Sequence, residues 1–162
     1  MGMVCVLQPI DAGEIDGVLE HPETIHTRLE QGAEGAIDID KSWHAIHFLL
    51  TGTAWDGTDP DGFLLQGGEQ VGDEDVSYGP PRILRPHEVQ RVHAFLKTID
   101  SAELRRRYDP KAMVRAEIYP DIWDREDDME ENFEYVSQYF EDLRRFFAGA
   151  AQKEHGVAIF IT

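Results

Sequence analysis

The last seven residues, "GVAIFIT" at 156–162, are apolar almost without a break. A strand with one wet face alternates apolar and polar side chains, so a run without alternation predicts a strand buried on both faces. A second run, "MVCVLQ" at 3–8, ends at Pro9 and predicts another short buried strand. "RILR" at 82–85 reads as a third. The chain between them has helical spacing. "PHEVQRVHAFLKTI" opens on Pro86, which suits the first helical position, and Val89, Val92, Leu96 and Ile99 line one face. From about Glu126 to Ala150, apolar residues Met129, Phe133, Val136, Phe140, Leu143, Phe147 and Ala150 recur at spacings of four and three. Strands buried on both faces need helices on both faces. The pattern therefore predicts an α/β chain with a small mixed sheet between helical layers.

Shorter elements have their own signals. Asp11 with Glu14, and Asp100 with Glu103, have capping-box spacing, and Asp109-Pro110 opens another short helix. Ile15, Val18 and Leu19 share a helical face, as do Ile25 and Leu29 after Pro22. "GGEQVGDEDVSYGPP", at 67–81, is a long Gly- and acid-rich connection, and a loop of that length is more often functional than decorative. No internal repeat or interdomain linker interrupts the chain, so residues 1–162 read as one domain.

Acidic residues outnumber basic ones by 32 to 15, for a net charge of -17. Such a chain repels phosphate backbones, which disfavours general nucleic-acid binding. The acidity keeps the protein soluble and admits a basic protein partner or a cationic ligand. Cys5 is the only cysteine, so no internal disulfide forms, as expected in a reducing compartment. The N-terminal segment lacks the basic and long apolar regions of a signal peptide, and no run approaches the ~20 apolar residues that span a bilayer. The expectation is a soluble cytoplasmic protein.

The segment "DIDKSWHAIHFLLTGT" at 38–53 combines burial with polarity. On a helix at about 100° per residue, Asp40, His44, His47 and Thr51 fall within about 60° of arc. The rest of the surface is apolar beyond the first turn, so the helix is expected to be buried and to end at Gly52. Unpaired buried polar groups cost roughly 1–3 kcal/mol each, so this line of side chains must meet partners. Three readings are open. The histidines are satisfied core residues, with Asp40 a partner or simply the N-cap; or the line faces a ligand pocket, with histidine as acid or base; or His44 and His47 ligate a metal. The spacing is not that of the His-Glu-x-x-His zinc motif.

Tyr78, Tyr119 and Trp123 lie beside turn residues, outside regular elements. They are candidate pocket walls or lids on the core. "DGTDPDG" fails the acidic frame of a calcium loop, "GGEQVG" lacks the Lys-Ser/Thr of a phosphate loop, and no Gly-x-Ser-x-Gly elbow occurs. Cys5, in an apolar strand, reads as inert packing. The remaining histidines read as surface or rim, and Arg105–Arg107 as partners for the acidic helix.

The motifs "MGM", "DIDKSWHAIHFLLTG", "VGDEDVSYGPPRIL", "YDPKAM" and "IYPDIW", with the final helix and strand, resemble the YfbM-like family of bacterial proteins. The resemblance covers the whole chain. It implies a three-layer α/β sandwich and brings no reaction, cofactor or catalytic residue. The leading expectation is binding, of a small ligand or a protein, at a pocket formed by Asp40, His44, His47, Thr51, Tyr78, Tyr119 and Trp123. The alternatives are an enzyme with His44 or His47 as general base, oriented by Asp40, and a metal-binding protein.

Overall fold

Strand β5 (Gly156–Ile161) is buried at all six positions, as its unbroken apolar run predicts. The computed structural model describes residues 2–162; Met1, which opens the "MGM" motif, lies outside them. On one side β5 pairs with β1 (Cys5–Ile10) along its whole length, from Cys5 opposite Ile161 to Ile10 opposite Gly156. On the other it pairs with β4 (Arg82–Leu84). Two-residue strands finish the edges, β2 (Ile37–Asp38) beside β1 and β3 (Glu69–Gln70) beside β4. The order is β2-β1-β5-β4-β3.

Every neighbouring pair in this sheet is antiparallel, so the sheet is not mixed as expected. Apolar runs report burial and not direction, and direction depends on how the connections cross. Such short edges offer little to an edge-pairing partner.

Side chains alternate between the two faces. Cys5, Leu7, Leu84, Val157, Ile159 and Ile161 join the larger core. That core is covered by α3 (Trp43–Thr51), α5 (Pro86–Leu96) and α8 (Met129–Gln152), with the short helices α4 (Phe63–Gln66), α6 (Ser101–Arg107) and α7 (Pro110–Arg115) around them. Ile10, Ile83, Ala158 and Phe160 face the other way, against Ile15 of α1 (Ala12–Glu20) and Ile25 of α2 (Thr24–Gln31). The result is three layers, helix on sheet on helix.

The seam of α8 packs as its spacing requires. Phe133, Val136, Phe140, Leu143, Phe147 and Ala150 are buried, and Phe147 meets Phe63 edge to face. Asp100 caps α6 by accepting from the Glu103 N–H at 2.8 Å, and Asp109 caps α7 through the Ala112 N–H at 3.1 Å. Asp11 makes no side-chain cap; its carboxylate lies 3.2 Å from His155 instead. Arg105 reaches Glu130 of α8 at 3.0 Å, the pairing expected of the basic run.

Among the described residues no helix is long and apolar enough to cross a membrane. Gly68 fixes the turn into β3. Its φ is +81°, and a Cβ there would lie 2.4 Å from the Ile83 carbonyl oxygen. Gly68→Ala is therefore expected to destabilise the fold by more than about 1 kcal/mol. Urea denaturation checks this, and a neutral result would show that the turn adapts.

Candidate functional site

Helix α3 is buried almost all round, and both its histidines are completely shielded from solvent. Their partners are backbone groups of a loop that folds back over the helix. His44 Nε2 donates to the Ala54 carbonyl at 2.8 Å, and its Nδ1 accepts from the Tyr119 N–H at 2.8 Å. His47 Nε2 donates to the Asp56 carbonyl, also at 2.8 Å. Thr51 turns its hydroxyl back to the His47 carbonyl and receives the Thr53 N–H. The polar line on this helix thus ties down residues 53–56, and through Tyr119 it ties the connector after α7. Gly57 continues the cover: a Cβ there would sit 3.4 Å from His47 Cε1.

Burial drives both imidazoles toward the neutral form. It brings His44 down to about 4, with the bond to Ala54 opposing the shift and His47 adding to it. It lowers His47 as well, against the Asp56 bond and the nearby Asp61 charge. His44 has no free ring nitrogen. Among the described residues, His47 Nδ1 is buried without a hydrogen-bond partner.

Asp40 stands apart from this line. It precedes α3 in a 3-10 turn with φ +50°, and its Oδ2 accepts from the Tyr135 hydroxyl of α8 at 2.7 Å. That contact, after burial, pushes the Tyr135 phenol up. Trp123 is a core residue, 1% exposed, with its indole N–H donating to the Ile118 carbonyl. Among the described residues no three His, Cys, Asp or Glu side chains gather as a metal site would require.

The structure joins His44, Tyr119 and Tyr78 through two tryptophans. Trp43 lies at the centre, stacked on His44 at 5.1 Å and 5.8 Å from both Tyr119 and Tyr78. Its indole N–H donates to the Met3 carbonyl. Trp55 packs on His44 at 4.2 Å and stacks on Tyr78 at 5.7 Å. The ladder runs from the core to the surface, where Trp55 is 44% and Tyr78 40% exposed. They wall a cleft of about 550 Å³ that also exposes Gln66, Gln70, Ser77 and Arg82. Asp75 stands in the same wall.

Arg82 projects from β4 on the face of the larger core. Its Nη1 donates to the carbonyls of Phe63 (3.0 Å) and Gly67 (2.6 Å), and its Nη2 donates to Leu64. The guanidinium thereby closes the C-terminal end of α4. Burial lowers its pKa to about 10, which leaves it charged at neutral pH.

Sequence reasoning missed Trp55 and Arg82. The signal for Trp55 was present, a large aromatic in the turn-rich "TAWDGTDPDG". Arg82 showed only as a strand residue. A larger cleft, about 770 Å³, lies between Asp11, Arg28, Asp142 and Lys153. Its aromatic lining residue, Phe146, is partly buried against the core, and ion pairs such as Arg28–Glu14, Arg145–Asp142 and His155–Asp11 occupy many of its charges.

Fold and site together define a small three-layer α/β domain with an aromatic-walled surface cleft and buried, neutral histidines behind it. The family model described as a domain of unknown function, DUF1877, matches residues 1–160, and the chain belongs to that family. It is 32% identical over 130 residues to Protein YfbM of Escherichia coli strain K12, covering 75% of each chain. The crystal structure of YfbM, titled a protein of unknown function, superposes with a TM-score of 0.80 at 25% identity, covering 98% of this chain and 99% of that one.

Proposed function

We propose that this chain, as a single cytoplasmic domain, acts by binding a small planar molecule in the cleft walled by Trp55 and Tyr78, against their exposed surfaces. The observation that carries this reading is their exposure. Two large aromatic rings stack on one another at the mouth of a cleft and stay open to solvent. Exposed aromatic surface of this kind marks a binding site, and a cleft of this volume suits a small ligand. The rigid ladder behind the rings holds them in place before a ligand arrives, which lowers the ordering cost of binding. The single unpaired cysteine, buried at Cys5 with its pKa raised to about 12, supports a reducing compartment.

A thermal-shift screen of small aromatic and heteroaromatic metabolites tests the proposal. A ligand at about a hundred times its Kd stabilises by about 2.7 kcal/mol, a rise of roughly 5–10 °C for a chain of this size. The expected result is a rise in wild type that Trp55→Ala abolishes while its own unliganded Tm moves by only a few degrees. A ligand shift that survives in Trp55→Ala places binding elsewhere and defeats the reading.

A second reading, a general base at His47, keeps one observation in its favour, the unpartnered Nδ1. It requires a substrate to reach a side chain with no solvent exposure. If His47→Ala abolishes a ligand's shift without weakening the fold, that reading gains. If it only lowers stability, the histidine is structural.

A further inference from the structure

We propose that the ligand of the Trp55–Tyr78 cleft is a planar monocarboxylate, gripped by the unused side of the Arg82 guanidinium. This rests on the binding reading above and adds the ligand's chemical class.

A guanidinium carries five N–H donors. Arg82 directs both Nη1 donors and one Nη2 donor at the three carbonyls around the end of α4. Two remain, the Nε–H and the second Nη2–H. On a guanidinium the Nε–H and one Nη2–H lie side by side, an edge that takes a carboxylate through two parallel bonds. Among the described residues, Nε has no hydrogen-bond partner and is not sealed from solvent, and Arg82 lines the cleft.

The chain has acids to spare, yet Arg82 has none. Arg28, Arg85, Arg91, Arg105, Arg106, Arg107, Arg144 and Arg145 each lie within 4.0 Å of a carboxylate. Of the other described arginines, Arg115 and Arg125 are exposed to water. Among the described arginines Arg82 alone is partly buried and without a carboxylate, although Asp and Glu outnumber Lys and Arg by 32 to 15. Three carbonyl dipoles offset part of the penalty of holding a cation there, and an anion in the cleft would offset more.

The surroundings narrow the anion. Trp55 and Tyr78 favour a flat apolar body beside the charged end. Asp75 in the same wall, with Asp73 and Glu74 before it on the loop, repels negative charge in proportion to the ligand's own. Phosphate esters and dicarboxylates are disfavoured, whereas one carboxylate in direct contact with Arg82 is not. More distant acids contribute little past a Debye length of about 8 Å.

The test is 15N NMR of the intact chain, following the Trp55 indole N–H and the Arg82 Nε–H during titration with benzoate, benzamide and benzylamine. The expected result is that benzoate moves both signals and binds at least about tenfold tighter than benzamide. Arg82→Lys keeps the charge and removes the fork, and should weaken benzoate at least about tenfold with benzamide unchanged. If Arg82→Lys does not fold, the comparison of the three compounds on wild type still decides. Equal binding of benzoate and benzamide through Trp55 overturns the carboxylate and leaves the cleft. Preference for benzylamine does the same and makes the cleft a cation site. If no compound moves Trp55, both proposals fall.

Discussion

Trp43→Ala is expected to destabilise the fold by about 3–5 kcal/mol, the range for a large aromatic removed from a close-packed interior. Trp43 has no solvent exposure and touches His44, Tyr119 and Tyr78. Deleting it opens a cavity at the meeting point of α3, the connector after α7 and the loop before β4. It also removes the donor for the Met3 carbonyl, held at 3.0 Å. The losses combine because the cavity cannot close without shifting three chain segments. Urea denaturation measures the effect. Trp55→Ala, which removes an exposed ring, should lose less than about 1 kcal/mol by the same method. Comparable losses for the two variants would mean that the ladder is not anchored at Trp43.

The second large effect is on pH. His44 titrates at 6.5 when unfolded and about 4 in the fold. Between those values the unfolded chain binds a proton that the folded chain does not, so acid favours unfolding. The stability held above pH 6.5 is lost progressively as the pH falls toward about 4, and no more is lost below that. One such proton gives a slope of about 1.4 kcal/mol per pH unit, and the whole interval about 3 kcal/mol. His47, also shifted down by burial, adds to the slope in the same sense. Denaturation midpoints at pH 7, 6 and 5 should fall steadily in wild type. His44→Gln keeps an amide donor and acceptor near Ala54 and Tyr119 but does not titrate, so its profile should be flatter by about 1.4 kcal/mol per unit. Parallel profiles for the two proteins would show that His44 takes up its proton in the folded state.

The layers were legible in the sequence wherever burial leaves a periodic trace. The unbroken run in β5 and the four-and-three seam of α8 each announced their surroundings, and Gly52, Asp100 and Asp109 marked helix ends that the structure has. Strand direction left no trace, and two-residue strands such as β2 and β3 are too short to make one. The helix carrying His44 and His47 was also legible, as was the rule that its polar line must find partners. The partners were not, because they are backbone carbonyls and an amide, which every residue carries. Asp40 shows the limit of projecting side chains onto an ideal helix. It belongs to the turn before α3, and its positive φ turns the carboxylate toward Tyr135. Trp55 and Tyr78 meet only because two separate loops fold together, and local sequence does not encode that meeting.

The place of β5 in the sheet has a consequence for biosynthesis. It is the central strand, yet it leaves the ribosome after β1, β2, β3 and β4, and more than 140 residues separate it from its partner β1. Until residue 161 has emerged, β1 and β4 have no strand between them, and their apolar edges wait unpaired. Contacts so distant along the chain are slow to form, because the intervening loop must close first. The nascent chain can build its helices and the β1–β2 and β3–β4 pairings early, but the two halves of its sheet join only in a late step. That interval is when this otherwise highly charged chain is most open to chaperones and to aggregation.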